Sequence, residues 1–188
     1  GLESSPYTPD IIINTKVPVE SVTINSTAVP KEINIGTEFT LSADVYPAEA
    51  TYQEVTWSVT SGSEFVEILE GGTTFRALGI GKAEITAKSV DNEDATASYI
   101  ATVKLTAPQN VKATLNVSDI TVTWDDVSDA VKYEVYRSEG SGFAKIGETK
   151  DATASYTDTS IKASAEYRYQ VVALGESSEY NSGRSTES

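Results

Sequence analysis

ITVTWDDVSDAVKYEVYR, residues 120–137, holds two alternating runs, Ile120-Val122-Trp124 and Tyr133-Val135-Arg137, joined by a short acidic loop. Alternation with period two, rich in β-branched and aromatic residues, marks half-buried strands. An earlier run also carries Val-Thr-Trp, at Val55–Trp57, so the chain builds one kind of core twice.

Working outward toward the N-terminus, the same period recurs. Val22-Ile24, Phe39-Leu41-Ala43-Val45, Val55-Trp57-Val59, Phe65–Leu69, Thr74–Leu78, Ala83-Ile85-Ala87 and Tyr99-Ala101-Val103 each read as one strand. Turn chemistry separates them at Ile35-Gly36-Thr37, Tyr46-Pro47, Gly71-Gly72, Gly79-Ile80-Gly81 and Asp91-Asn92. Short strands with turns about every 8–12 residues predict an all-β chain, and no apolar i, i+3, i+4, i+7 spacing predicts helix. The expected architecture is two tandem immunoglobulin-like β-sandwiches, over residues 19–104 and 105–188, after a lead-in at 1–18. Pro6, Pro9 and Pro18 oppose helix in that lead-in, where Ile11–Ile13 is readable as an edge strand. Leu105-Thr106-Ala107-Pro108 is the expected junction, because Pro108 ends strand pairing before Val111-Ala113-Leu115 begins another sheet. A last strand running into so short a link should hold the two modules end to end.

Composition excludes whole classes of chemistry. Without cysteine there is no disulfide, thiol nucleophile or thiolate metal site, and without histidine no Ser-His-Asp triad or imidazole ligand. Chemistry on paired carboxylates, a lysine or oxygen-ligated calcium survives. Net charge is −14, with 6 basic against 15 acidic residues in 1–104 and 8 against 13 in 105–188. Both parts would repel a phosphate backbone, so nucleic acid is not an expected partner. No apolar run approaches the length of a membrane span.

Residues 17–104 resemble the bacterial immunoglobulin-like group 2 (BIG2) domain. The likeness rests on Val22-Thr23-Ile24, Gly36 before Thr40-Leu41, Val45-Tyr46-Pro47-Ala48 with Ala50-Thr51, Val55-Thr56-Trp57-Ser58, Phe75–Gly81 and Ala83–Ala87. In place of a shorter glycine-bearing hairpin, the chain has the acidic turn Asp91-Asn92-Glu93-Asp94. Trp57 would be the buried anchor of this core. Residues 108–188 resemble a fibronectin type III domain, through Val122-Thr123-Trp124, Tyr133–Arg137, Lys145-Ile146-Gly147, Ser155–Asp158 and Glu166–Ala173. That resemblance implies Trp124 as the inter-sheet tryptophan and Tyr167 as the corner tyrosine whose hydroxyl bonds backbone upstream. Arg-Gly-Asp is missing, so integrin binding does not carry over.

Two acidic loops are candidate calcium ligand sets: Asp91, Glu93 and Asp94, and Asp125, Asp126 and Asp129. Neither has the EF-hand spacing, and Asp and Asn are also ordinary turn formers, so no cofactor is assigned. Among ten tyrosines, Tyr46, Tyr52, Tyr136 and Tyr180 are the candidates for an exposed ligand face, since aromatic rings stack on sugars. The expected function is a non-catalytic extracellular pair from a bacterial surface or secreted protein. It would act in adhesion to a host or glycan surface, or as a rigid spacer presenting another domain. The alternative is a carbohydrate-binding accessory unit of a polysaccharide-processing system, and a carboxylate hydrolase stands third. A monomer, exported to the cell surface or beyond, is expected.

Overall fold

Period-two burial shapes the first sandwich, as seen in a computed structural model that describes residues 15–30 and 32–188. In β8 (Gly81–Ser89) positions 81, 83, 85, 87 and 89 are buried and those between are not. That strand pairs antiparallel with β9 (Thr96–Lys104) on one side and β5 (Val55–Ser61) on the other. β2 (Ile33–Asn34) joins β9 in parallel, giving the order β2-β9-β8-β5. Opposite stand β3 (Glu38–Thr40), β7 (Thr74–Ala77) and β6 (Val66–Ile68), with β1 (Ser21–Asn25) paired to β4 (Ser42–Tyr46). Phe39, Leu41, Phe75, Ile85 and Val103 fill the space between, with Phe39 and Phe75 stacked 5.6 Å apart. The expected edge strand at Ile11–Ile13 lies outside the described residues.

Phe39–Val45 departs from the single strand that its alternation predicts. The run breaks at Leu41, where β3 leaves its pairing with β7 and β4 takes up pairing with β1. Leu41 is buried, and its N–H donates to the Thr73 carbonyl at 3.1 Å, a bond outside either ladder. Inward side-chain alternation survives the change of partner, which is why the sequence reads as continuous.

The second sandwich repeats the plan with other pairings. β10 (Lys112–Leu115), β11 (Ile120–Thr123) and β14 (Ser155–Asp158) form one sheet. β13 (Phe143–Glu148), β12 (Lys132–Ser138) and β15 (Arg168–Leu174) form the other. Trp124 closes the core beyond β11, edge-on to Tyr133 at 5.1 Å and clustered with Val122, Val135, Tyr169 and Val171. Val111 is buried, but Ala113 and Leu115 are exposed, so the alternation expected for that run stops where β10 becomes an outer strand.

Beyond β15 the chain returns along it with a period of three. The N–H groups of Ser182, Ser185 and Ser188 donate to the carbonyls of Ala173, Val171 and Tyr169. In return the N–H groups of Ala173, Val171 and Tyr169 donate to the hydroxyls of the same three serines, at 2.8, 2.9 and 3.2 Å. Side-chain oxygens thus replace the carbonyls a regular strand would offer. One 3-10 turn, Ser178–Tyr180, is the helical element among the described residues.

Candidate functional site

Exposed aromatic rings come first, because a sugar platform needs several on one face. Tyr46 is 61% and Tyr52 50% exposed, at either end of the turn region that joins β4 to β5. Val55 pairs with Ser89, so this turn lies at the end of the first sandwich remote from the junction. Lys16 stands over the Tyr52 ring at 5.5 Å. Tyr136 lies on the outer face of β12 in the second sandwich, and Arg184 covers its ring at 4.1 Å. Its hydroxyl donates to Glu134, which also holds Lys145 at 2.8 Å. Lys145 first, and then the Tyr136 hydroxyl, draw the Glu134 carboxyl below its usual range, while the bond to Glu134 raises the Tyr136 phenol. Tyr180 sits between the sandwiches, its carbonyl bonded to Leu105. The four tyrosines therefore occupy three separate places.

The acidic loops also separate into local contacts. Asp91 is paired with Lys16 and accepts from the Val19 N–H, while Asn92 donates to the Val19 carbonyl. The bond from Lys16 is the main reason the Asp91 carboxyl titrates below the ordinary range. This turn is a clamp on the incoming chain. Glu93 reaches Lys88 at 3.6 Å, and the Asp94 N–H donates to Asn92. Asp125 accepts from Asn110 at 2.7 Å, whereas Asp126 and Asp129 stand exposed on the loop that follows. Among the described residues no three such groups converge as a metal cluster.

The three aromatic residues assigned to cores differ in burial. Trp124 is 6% exposed, while Trp57 lies on the edge strand β5, half-buried, and meets Phe75 edge-on at 5.8 Å. Tyr167 accepts the Lys162 N–H on its hydroxyl at 2.7 Å, and Arg137 lies over its ring at 4.7 Å.

The junction is where residues from both sandwiches meet. β9 runs on into Leu105, which is 1% exposed and belongs to the second core. Ile80, from the turn before β8, packs against that same core. The Leu105 N–H donates to the Tyr180 carbonyl at 3.0 Å, and Lys82 reaches Glu179 at 2.5 Å. That pair raises the Lys82 ammonium and lowers the Glu179 carboxyl, each chiefly through their shared bond. An exposed ion pair adds little stability, so the apolar contacts carry the join. Lys82 of the first sandwich thus meets Glu179 of the second beside the apolar contact. Ile80 is not among the sequence candidates, although an isoleucine set between Gly79 and Gly81 was a signal that could have found it.

Residues 18–99 match the family model described as bacterial Ig-like domain (group 2). The first sandwich belongs to that family. Curated proteins similar to this chain include an amylopullulanase of Thermoanaerobacterium thermosulfurigenes, 36% identical over 75 residues. That match covers 38% of this chain and 4% of the enzyme. An Ig-like virion protein of Serratia phage KSP90 is 32% identical over 85 residues, covering 45% of this chain and 30% of that protein. The chain therefore spans a minor part of each relative. A two-domain fibronectin type III segment of chicken tenascin is 14% identical, with a TM-score of 0.51 over 92% of this chain and 98% of that one. The likeness is one of fold: a bacterial Ig-like domain followed by a fibronectin type III-like sandwich. Domains of these kinds are generally non-catalytic modules of larger proteins.

Proposed function

We propose that the chain is a non-catalytic module pair within a larger secreted or surface protein, serving as a stiff spacer that presents a neighbouring domain. The junction carries this reading. Leu105 leaves one sandwich along β9 and is buried in the core of the next, so no free linker separates them. A nine-residue strand spans about 30 Å, and two sandwiches joined end to end would set a partner domain that distance or more from its attachment. Presentation of this sort also serves adhesion to a host or glycan surface. Small-angle scattering should fit one conformation, and the variant Leu105→Ser, lacking the shared apolar anchor, should broaden the distance distribution. An equally broad distribution in the unaltered chain would overturn the spacer.

The runner-up is a carbohydrate-binding accessory unit of a polysaccharide-processing system, suggested by the amylopullulanase relatives. Dispersal of Tyr46, Tyr52, Tyr136 and Tyr180 over three places weighs against it. A carboxylate hydrolase has less support still. Asp129 and Glu176, the carboxylates that line the junction groove, both come from loops at one end of the paired strands β12 and β15.

A further inference from the structure

Beside the Leu105 anchor the two sandwiches leave a groove of about 490 Å³, lined by Ile80, Ala130, Val131, Gly175 and Tyr180, with Asp129 and Glu176 at its rim. Three loops build it. The turn bearing Ile80 comes from the first sandwich, and the loops before β12 and after β15 come from the second. Lys132 pairs with Leu174, and the Val131 N–H donates to the Leu174 carbonyl, so those two loops leave side by side, one bearing Asp129 and the other Glu176. At Gly175 a side chain would meet the Tyr180 Cβ at 3.2 Å and the Leu105 Cδ1 at 3.6 Å, so glycine here lets the ring settle close to the strand.

We propose that this groove takes the lysine or arginine side chain of a basic partner segment. Such a side chain has an apolar stem and a charged head, and the groove offers an apolar floor and an anionic rim. Among the described residues neither Asp129 nor Glu176 has an ion-pair partner, whereas Glu179 nearby is already taken by Lys82. The net charge of −14 draws a cationic partner toward the whole surface, and the rim gives it a place to stop. Elsewhere the chain sets its own cations over tyrosine rings three times, at Tyr52, Tyr136 and Tyr167. Tyr180 lines the groove and, among the described residues, has no cation over its ring, so an incoming guanidinium has there an aromatic neighbour of the kind the fold uses repeatedly.

The test is a titration of the whole chain with an oligoarginine peptide at physiological ionic strength, followed by NMR. Shifts should gather at Ile80, Val131 and Tyr180, and a citrulline counterpart should not bind. Asp129→Asn with Glu176→Gln should weaken binding by about tenfold. Asparagine suits position 129, whose φ is 64°, and an unchanged thermal midpoint checks the fold. Asp44→Asn with Glu49→Gln removes the same charge at the remote end of the first sandwich and should leave binding unchanged. Equal weakening in both double variants would reduce the effect to net charge and overturn the site. So would citrulline binding as well as arginine, or shifts outside the groove, or no binding of oligoarginine. A neutral maltooligosaccharide that perturbs the same residues would assign the groove to glycan instead.

Discussion

Replacing Asp158 by asparagine tests what holds the second sandwich together. The carboxylate is 2% exposed and accepts four bonds: from Arg137 at 2.8 Å, the Tyr169 hydroxyl at 2.9 Å, and the Ser160 N–H and hydroxyl at 2.9 and 2.7 Å. The amide put in its place would keep the shape, lose the charge and turn an N–H₂ toward groups that are themselves donors. Arg137, 10% exposed, would remain in place with its Nε already lacking a partner. Removing one member of a buried pair costs about 3–5 kcal/mol. Glu139 also meets Arg137, at 2.5 Å, and stays as a half-exposed counter-ion, so the lower end of that range, about 3 kcal/mol, is expected. For a sandwich of this size that is a fall of roughly 12–24 °C in midpoint. Urea unfolding followed by tryptophan fluorescence reads it, because Trp57 reports the first sandwich and Trp124 the second. The Trp124 transition should carry the main shift, and the Trp57 transition should move by less. A shift below about 1 kcal/mol would refute the claim that this node is buried and coupled. Acid should act on the same node. Burial alone raises the Asp158 carboxyl, but the bonds from Arg137, Ser160 and Tyr169 outweigh it and hold the group below its ordinary value. The stabilisation is therefore complete above the unfolded carboxyl value of about 3.9 and is lost as pH falls through the lower folded value. Asp158→Asn should flatten that acid dependence.

Two more outcomes follow from burial and contact. Trp124→Ala should cost about 3–5 kcal/mol and unfold the second sandwich, while half-buried Trp57 should cost less when replaced, about 2–3 kcal/mol; chemical denaturation giving the reverse order would sink the argument from burial. Asp91→Asn should free the incoming chain, seen as faster hydrogen exchange at Val19 and Glu20 with the second sandwich unchanged. The same loosening should appear in the unaltered chain on acidification, since the Asp91 carboxyl is lowered by Lys16 and its clamp persists until pH falls through that lowered value.

Alternation made the sheets legible from sequence, because burying one face of a strand leaves a mark at every second residue. It did not reveal who pairs with whom. The break at Leu41 leaves the inward pattern intact, and two-residue β2 is too short to carry any period. Ser182, Ser185 and Ser188 repeat every third residue, a spacing that matches neither strand nor helix and reads as an ordinary polar tail. Ten tyrosines could be counted but not placed, and their separation in space decides the platform question. The acidic turns looked alike on paper, yet the Asp91 carboxylate is nearly buried beneath Lys16 while Asp129 stands open at a groove. Which of two aspartates is occupied depends on chain segments more than seventy residues away for one and on a neighbouring sandwich for the other.

Leu105 gives the pair a thermodynamic accounting that differs from its division by family likeness. A residue at the end of the first sandwich's last strand completes the other's core, and Ile80 adds to it from a loop 25 positions upstream. The second fold therefore borrows apolar surface from the first. A fragment started at Pro108 would keep every strand of the second sandwich and still melt earlier than it does in the pair. Melting of the first sandwich would likewise strip two apolar side chains from the second, so the two transitions are linked through the same two residues that join the sandwiches.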